Sequence, residues 1–595
     1  DVYKRQQDFK LTSSGYFKNQ GVDIMAFDDI YPEGHQGGVC IIMNGHRVAT
    51  NGDIRLEATP GQWQPVPKQL DRKLGDNSIT ATLCYPDSSR HLTGFNPMIY
   101  PDLHLIYTVN VESKGKNIEV TVDLDRPIPQ EFIGKVGFNL EFFPGSLFGK
   151  PWIMDGQSGI FPQQPNSPLM TTQPNYLHTG NYHDGKQSLA DMDKLIGKGY
   201  SPIVADDIIS EPYAKGRKFT SRPDDPYNKV TIESLSGDLQ LFDGRMNHNN
   251  GWFVLRSNIK PGVTKGAVKW IITPNVVADW MYQPVIQTSQ IGYHPAQDKE
   301  AVIEMDIRDN RKETAQIIRI DADGEKVVKN VTPANWGKFL RYNYLKVDFT
   351  DVKEPGLYKI KYDTSVSPIF RIDNDVYARG VWQPVLEYFL PVQMCHMRVN
   401  EKYRVWHDCC HMDDAQMAPA HNHIDGYDQK EGLSKFKPGE VVPGVNIGGW
   451  HDAGDFDLRI ESQAGESYIL ALAYEAFHPN LDVTSIDQIN RVTEIHQPDG
   501  KNDLLQQVEN GALTVVNGYL ALGRLYRGII CNDLRQYVLL GDAAAMTDGK
   551  IGNEDDRWIF TEDNPGRELS TAAQLAAVSR VLKAVSYTHL TLPTN

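Results

Sequence analysis

The chain has 595 residues, of which 40% are hydrophobic and 23% charged, and its formal net charge is -16. This composition is that of a soluble globular protein long enough for roughly three to five domains, and no apolar run is long enough to span a bilayer. The negative charge disfavours nucleic acid and anionic membranes as partners and suits a neutral substrate such as a glycan.

Both ends of the chain are unlike the rest of it. Residues 1–6 (DVYKRQ) and 585–595 (VSYTHLTLPTN) resemble translated read-through of sequencing adapters, although ordinary disordered tails are the alternative. We expect these two segments to be non-native sequence and leave them out of the fold prediction. On this expectation the natural gene extends beyond both ends, and the lack of a visible signal peptide is uninformative.

Residues 7–284 have the pattern of β-structure. Leu105, Tyr107, Val109 and Val111 alternate with polar residues, and Gly and Pro punctuate the whole segment. An alternation of period two is typical of strands with one buried face. The length and pattern predict a large antiparallel β-sandwich domain, in which we identify no catalytic constellation.

Residues 285–374 predict a second, smaller β domain. Short apolar strands at 301–306, 315–320 and 357–362 are separated by turn residues. Several short strands with turn signals between them, over about ninety residues, are typical of an immunoglobulin-like sandwich.

Residues 375–584 change to a helical pattern. Apolar stripes of period 3.6 predict four helices, at Tyr377–Leu390, Phe456–Phe477, Asp503–Leu525 and Arg567–Ala584. Long loops separate these helices, and we predict no strands among them.

One of these loops carries the segment GGWHDAGD, residues 448–455. Its two carboxylates, Asp452 and Asp455, are three residues apart across small residues and can hold one water molecule between them. A carboxylate close to another carboxylate is suited to act as a general base. The alternative is that Asp455 only caps the N-terminus of the following helix.

GGWHDAGD resembles the catalytic base motif of glycoside hydrolase family 9, the inverting β-1,4-glucanases. Two further motifs, QIGYHP at 290–295 and GLYKIKYD at 356–363, resemble the immunoglobulin-like module that precedes many family 9 catalytic domains, and CHMDDA at 410–415 also fits the family. The resemblance covers about residues 290–584. It implies that the helical segment is part of an (α/α)6 toroid.

The resemblance also implies roles for the carboxylates. Asp455 would be the general base that deprotonates the attacking water, and Asp452 would orient this water. The general acid of the family is a Glu near the end of the toroid, and no residue here matches its motif. Since four to six helices are about half of the twelve in a toroid, we expect the acid beyond residue 584 and an essentially inactive 595-residue chain.

Cysteine and histidine side chains near the motif predict a metal site. Six cysteines are too few for a disulfide framework in a chain of this length. Cys395, Cys410, His411 and His451 are the expected ligands of a structural zinc ion, because thiolate and imidazole suit tetrahedral zinc, and the resemblance implies the same set. A reduced cysteine cluster without metal is the alternative. Competing ligands are His407, Cys409, His421 and His423, and weaker calcium candidates are Asp413, Asp414, Asp425 and Asp428.

Aromatic side chains near the motif are candidate sugar platforms, because pyranose faces stack on aromatic rings. Trp450, Trp406 and Tyr427 are the expected substrate-binding residues, although each could instead belong to the core. The partner is then a β-glucan polysaccharide or oligosaccharide, with the particular glycan and the choice of endo or exo action left open.

Three functions stay open from the sequence. The first is a glycoside hydrolase that cleaves β-1,4-linked glucans with inversion and is expected to be secreted, periplasmic or on the surface of a bacterium. The second is a non-catalytic carbohydrate-binding or scaffold protein, which the presence of both aspartates disfavours. The third is a metal-dependent hydrolase, which would need an open coordination position on its metal.

Overall fold

A computed structural model describes residues 8–28, 37–57, 60, 67–85, 103–166, 170–172, 208–246, 251–422, 428–430, 432–452, 456–530, 549–552 and 556–583. The described residues up to Ala378 belong to one compact unit, and those from Arg379 onward belong to a second. No helix among the described residues has the length and apolar character needed to cross a membrane.

The first part of the first unit is a large β-sandwich. Its strands are β1 (Lys10–Leu11), β2 (Phe17–Asn19), β3 (Val22–Ala26), β4 (Val39–Met43), β5 (His46–Leu56), β6 (Lys68–Leu74), β7 (Ser78–Cys84), β8 (Ile106–Lys114), β9 (Asn117–Leu124), β10 (Val136–Phe142), β11 (Pro151–Met154), β12 (Gln157–Ile160), β13 (Met170–Thr172), β14 (Ile208–Ser210), β15 (Ala214–Gly216), β16 (Lys218–Ser221), β17 (Val230–Ser234), β18 (Leu239–Asp243), β19 (Phe253–Asn258) and β20 (Val268–Pro274). Two nine-stranded sheets have the orders β1-β2-β3-β4-β5-β10-β19-β18-β15 and β12-β11-β16-β17-β20-β9-β8-β7-β6, and β13 pairs with β14.

The side chains of β8 alternate between buried and half-buried, and the buried ones form part of the core of the sandwich. Tyr107, Val109 and Val111 are at most 1% exposed, while the residues between them are only half-buried. One face of the strand therefore lies in a core shared with the other sheet. The predicted β-sandwich is present, with its core between the two sheets.

Charged side chains are buried within this sandwich as well. Arg256 on β19 is 1% exposed and forms an ion pair with Glu57, with 3.4 Å between Nη1 and Oε1. Arg256 also donates to Asn139 Oδ1 at 2.8 Å. These partners satisfy a guanidinium that would be costly to bury alone.

The second part of the first unit is a smaller sandwich. Its strands are β21 (Val285–Gln287), β22 (Glu300–Asp306), β23 (Ala315–Asp321), β24 (Gly324–Val331), β25 (Ala334–Phe339), β26 (Tyr342–Asp348), β27 (Gly356–Tyr362), β28 (Ser365–Val366) and β29 (Phe370–Ile372). One sheet has the order β21-β22-β26-β25, the other β24-β23-β27-β28, and β29 also pairs with β27. The rings of Tyr293, Phe349 and Phe370 pack together in the core.

A short segment joins the two sandwiches. Asp306, at the end of β22, accepts from the backbone N–H of Tyr282 at 3.1 Å and pairs with Arg308. Arg308 also donates to the carbonyl oxygen of Trp280 at 2.9 Å. The Trp280 ring lies against Gly21 of the large sandwich, where an added Cβ would approach it to 2.8 Å.

The second unit contains both helices and short strands. Its described helices are α1 (Leu390–Val392), α2 (Ile460–Phe477), α3 (Asp503–Leu522) and α4 (Pro565–Lys583), and α1 follows a π-helical turn, Val385–Phe389. Its strands are β30 (Arg398–Glu401), β31 (Arg404–His407), β32 (Gln416–Met417), β33 (His421–Asn422), β34 (Asp428–Gln429), β35 (Leu458–Arg459), β36 (Thr484–Asp487), β37 (Val492–Ile495), β38 (Gly528–Ile530) and β39 (Trp558–Phe560).

Two predictions for this unit are wrong, and a third is not confirmed. The helix expected at Tyr377–Leu390 is wrong over its first half, where the chain forms turns. The expected absence of strands is also wrong, since two four-stranded sheets have the orders β31-β30-β37-β36 and β32-β39-β38-β35. With four helices in the described residues, the partial (α/α)6 toroid is not confirmed.

The three long helices form the framework for the site. α2 packs against both α3 and α4. Asn502 caps α3 by accepting from the backbone N–H groups of Leu504 and Leu505, and Gly523 ends this helix at φ +75°. The N-cap of α2 is Arg459 rather than Asp455, so the helix does not need Asp455 for capping.

Candidate active site and metal centre

The segment that leads to Asp452 is fixed by backbone hydrogen bonds to the segment around Cys395. Cys395 N–H donates to the Gly449 carbonyl at 2.9 Å, and His451 N–H donates to the Gln393 carbonyl at 2.8 Å. Gly448 has φ +70°, and a Cβ there would lie 2.4 Å from the carbonyl oxygen of Asn510 on α3. Glycine is therefore required at 448 for this close approach.

Trp450 is a core residue, which corrects its predicted role in sugar binding. Its side chain is 2% exposed. The indole N–H donates to Gln507 Oε1 at 2.8 Å, and the ring covers Gly511 so closely that a Cβ there would lie 2.3 Å away. A ring held between α3 and its own loop has no free face for a sugar.

Four side chains named from the sequence as zinc ligands lie together. The Sγ atoms of Cys395 and Cys410 are 3.9 Å apart, Cys395 Sγ is 3.6 Å from His411 Nδ1, and Cys410 Sγ is 3.2 Å from His451 Nε2. All four ligand atoms lie within 4.8 Å of one another, and all four residues are buried.

These distances fit tetrahedral zinc. Bonds of about 2.3 Å to sulfur and about 2.0 Å to nitrogen give tetrahedron edges of about 3.3–3.8 Å. Burial lowers the pKa of His411 and His451, and the nearby Arg557 guanidinium lowers it further. Both imidazoles are thus kept neutral, which is the form that coordinates a metal.

The other predicted cysteine and histidine ligands are engaged elsewhere or are not described. The ring nitrogens of His407 lie 3.0 Å from the Val392 carbonyl and 2.9 Å from the Asp408 carbonyl. Cys409 Sγ lies 3.7 Å from the Arg491 carbonyl. The side chain of His421 and all of His423 lie outside the described residues.

The predicted calcium candidates are only partly described. Asp413, Asp414 and Asp556 are buried and place carboxylate oxygens within 4.8 Å of one another. Asp413 accepts from the backbone N–H of Gly549 at 2.6 Å, and Asp414 forms an ion pair with Arg557. Calcium binding by Asp413 and Asp414 remains a prediction. Asp425 and the side chain of Asp428 lie outside the described residues.

Asp452 directly follows the metal-ligand candidate His451 and remains accessible. Its side chain is 43% exposed, and Arg459 lies beside it, with 4.0 Å between Nε and Oδ2. Asp452 N–H donates to the Asp457 carbonyl at 3.2 Å, which closes the loop that contains Asp455. Asp455 itself and Tyr427 lie outside the described residues, so their predicted roles remain predictions.

Glu466 on α2 is a further carboxyl group near Asp452 that the sequence analysis did not identify. Although its side chain lies at the surface, enclosure by the surrounding protein raises its pKa, and the Asp452 carboxylate raises it further. A Glu in the second turn of a helix gives no sequence signal that distinguishes it from an ordinary surface residue.

Trp406 is half-buried and partly available. Its indole N–H donates to Glu401 Oε2 at 3.2 Å, and the Tyr388 ring meets it edge to face with 5.1 Å between centroids. The Arg404 guanidinium lies 4.9 Å from the indole centroid. A sugar could use this ring only by displacing or sharing these neighbours, so its predicted role stays a prediction.

A pocket of about 530 Å³ lies elsewhere in the second unit. Its lining includes Asp413, Asp414, Asn446 and Arg491, together with apolar side chains of residues 441–447. Neither Asp452 nor Trp406 is among the described residues that line this pocket.

Comparisons with known proteins bear on the smaller sandwich directly. Residues 281–367 match the family model described as cellulase N-terminal ig-like domain. The predicted resemblance of this module to those of cellulases is thereby confirmed. No curated protein sequence matches the chain.

Solved structures with some similarity are endoglucanases and a related protein. A metagenome-derived glycoside hydrolase family 9 endoglucanase is 20% identical at a TM-score of 0.33, covering 51% of this chain and 55% of its own. Family 9 endoglucanase J30 is 19% identical at a TM-score of 0.34, covering 49% and 53%. A family 9 protein of Bacteroides ovatus is 17% identical at a TM-score of 0.32, covering 50% and 54%. The chain thus spans about half the length of these proteins.

Proposed function

We propose that the second unit is a glycoside hydrolase of β-1,4-linked glucans that acts with inversion, with Asp455 as general base and Asp452 as its partner. The observation that carries the proposal is the arrangement at His451–Asp452. His451 lies in a buried Cys2His2 cluster, and the next residue presents an accessible carboxylate. The cellulase-type module at 281–367 supports a β-glucan as the substrate class.

The proposed reaction needs two carboxyl groups. Asp455 takes a proton from water as the water oxygen attacks the anomeric carbon, while the bond to the leaving sugar oxygen breaks and that oxygen gains a proton from a carboxylic acid. Asp452 accepts a hydrogen bond from the same water and orients it. We assign no acid among the described residues, and Glu562 is engaged in an ion pair with Arg567.

Zinc, when bound to Cys395, Cys410, His411 and His451, would crosslink the segments that carry these residues. Four protein ligands complete a tetrahedral site and leave no position for a reacting water. The same count disfavours the metal-dependent hydrolase as the function. The chain's own residues would therefore perform the chemistry, and a bound zinc ion would hold the loop of Asp452 in place.

An aryl β-cellobioside with a good leaving group tests the general base separately from the acid. Dinitrophenolate leaves without protonation, so hydrolysis of dinitrophenyl β-cellobioside requires only the base. We expect release of dinitrophenolate with the α-anomer as first product, observed by proton NMR. Asp455→Asn should reduce the rate by about 10²–10⁴-fold, the usual contribution of a general base.

Asp563→Asn is the matched control, because this carboxylate of the same unit is 71% exposed. It should leave the rate unchanged. Turnover that survives Asp455→Asn, or a first product of β configuration, would contradict the proposal. Binding of cello-oligosaccharides without any turnover would instead support a non-catalytic carbohydrate-binding protein.

A further inference from the structure

Arg557 is a buried cation that contacts three different parts of the candidate site. Its side chain is 0% exposed. It forms an ion pair with Asp414, donates to the carbonyl oxygen of Phe456, and donates through Nη2 to Cys395 Sγ at 3.4 Å. Its backbone N–H also donates to Asp414 Oδ1 at 3.0 Å.

The contact with Cys395 brings a positive charge to the sulfur-rich side of the cluster. Two thiolates and two neutral imidazoles would give a zinc ion a neutral site, and the Arg557–Asp414 pair is neutral as well. A hydrogen bond to a ligating sulfur fixes its orientation and its electron donation to the metal. Arg557 therefore acts on the cluster without being a ligand.

The contact with Phe456 reaches the predicted catalytic loop. Phe456 directly follows Asp455, and its φ of +56° is unusual for a residue other than glycine. Such a backbone persists only where its surroundings hold it. Here the Phe456 ring lies 5.0 Å from the His451 ring and 5.5 Å from the His411 ring, and Arg557 binds its carbonyl oxygen.

We infer that Arg557 is a positioning residue that couples the Cys2His2 cluster to the loop carrying Asp455. The two histidines contact the Phe456 ring, and Arg557 binds the Phe456 carbonyl oxygen. The main chain of Phe456, next to Asp455, is therefore fixed by the cluster and the guanidinium together. This inference rests on the proposed function only in taking that loop as catalytic.

The test compares the full chain with Arg557→Gln and Arg557→Lys. Zinc affinity is measured by competition with a chromophoric chelator, and hydrogen exchange is measured at the amides of residues 456–459. We expect Arg557→Gln to weaken zinc binding by about 10–100-fold, the usual effect of losing such a partner, and to speed exchange at these amides. Arg557→Lys keeps the positive charge and one donor nitrogen, and it should recover part of the zinc affinity.

Arg256→Gln is the matched control, because Arg256 is equally buried and ion-paired but belongs to the large sandwich. It should change neither zinc affinity nor exchange at 456–459. Circular dichroism of each variant separates a local effect from failure to fold, and a misfolded Arg557→Gln leaves Arg557→Lys to decide.

Unchanged zinc affinity and unchanged exchange in folded Arg557 variants would overturn the inference. A wild-type chain that binds no zinc would overturn it too. Neither readout depends on glycan turnover. If the chain fails to hydrolyse the aryl cellobioside but the Arg557 variants lose zinc as expected, the proposed function fails while the inference stands.

Discussion

Cys409 and Cys410 are neighbours in the chain with opposite environments. Cys410 is 0% exposed and faces Cys395 and His451, whereas Cys409 is half-buried and faces the Arg491 carbonyl. A zinc ion in the cluster would therefore bind the sulfur of Cys410 and not that of Cys409.

We therefore predict that Cys410→Ser abolishes stoichiometric zinc binding, because a serine hydroxyl replaces a thiolate ligand. Cys409→Ser should keep one zinc per chain. Metal content is measured by atomic spectroscopy after gel filtration, and the sulfur-to-cobalt charge-transfer band of the cobalt-substituted protein gives a second reading. Equal zinc content in both variants would exclude Cys410 as a ligand.

The ligand cluster could be predicted from the sequence because its members stand in short local patterns. Cys410 and His411 are adjacent, and His451 lies inside the GGWHDAGD motif. Arg557 could not be predicted, since it meets Cys395 across 162 residues and has no motif around it. For Trp450 the structure supports the core alternative rather than the sugar-binding role, because a tryptophan in a loop motif does not reveal from sequence which way its ring points.

Gly465 on α2 and Gly511 on α3 differ in their surroundings. A Cβ at Gly511 on α3 would lie 2.3 Å from both the Trp450 ring and Ser467 Oγ. A Cβ at Gly465 on α2 would lie 3.8 Å from the Gln574 side chain, an ordinary van der Waals distance. An alanine side chain would therefore be overpacked at position 511, whereas position 465 has room for it.

We predict that Gly511→Ala lowers the free energy of unfolding by about 1–3 kcal/mol through overpacking against Trp450. Gly465→Ala should raise it by about 0.5–1 kcal/mol, because alanine loses less backbone entropy in a helix. Guanidinium unfolding of the two variants, followed by far-UV circular dichroism, measures both. A neutral Gly511→Ala would show that the Trp450 ring can move away.

The type of a secondary-structure element could be predicted from the sequence where the element is long. β8 alternates over nine residues, and α3 carries a continuous apolar stripe. The strands β30–β39 have at most four residues each, too few for a period to be recognised. The helix expected from Tyr377 begins only around Pro384, because proline removes a helical donor and crowds the preceding turn.

The two sandwiches of the first unit are joined through the carboxylate of Asp306. Burial is the largest influence on this group and raises its pKa, but hydrogen bonds from Arg308 and from the Tyr282 backbone outweigh it and bring the pKa to about 2. A folded-state pKa below the usual 3.8 means that stability is present above about pH 4 and is lost as pH falls through 2.

We predict that Asp306→Asn lowers the stability of the smaller sandwich by about 2 kcal/mol at pH 7, and by only about 1 kcal/mol at pH 3. Denaturant-dependent hydrogen exchange at the amides of β22 and β26 measures the local free energy at both pH values. Asp323→Asn, in an exposed turn of the same sandwich, should have no effect. An equal deficit at pH 7 and pH 3 would mean that the charge of Asp306 is unimportant.

During synthesis, the zinc ligands leave the ribosome before Arg557, because Arg557 lies closer to the C-terminus. Cys410 and His451 are 41 residues apart, whereas Arg557 follows Cys395 by 162 residues. At about 5–20 residues per second of synthesis, all four zinc ligands emerge several seconds before Arg557 does. A nascent chain can therefore capture zinc while the Phe456 carbonyl still lacks its donor. The main chain at Phe456 would then reach its final conformation only when the segment around β39 arrives, as a late step of folding.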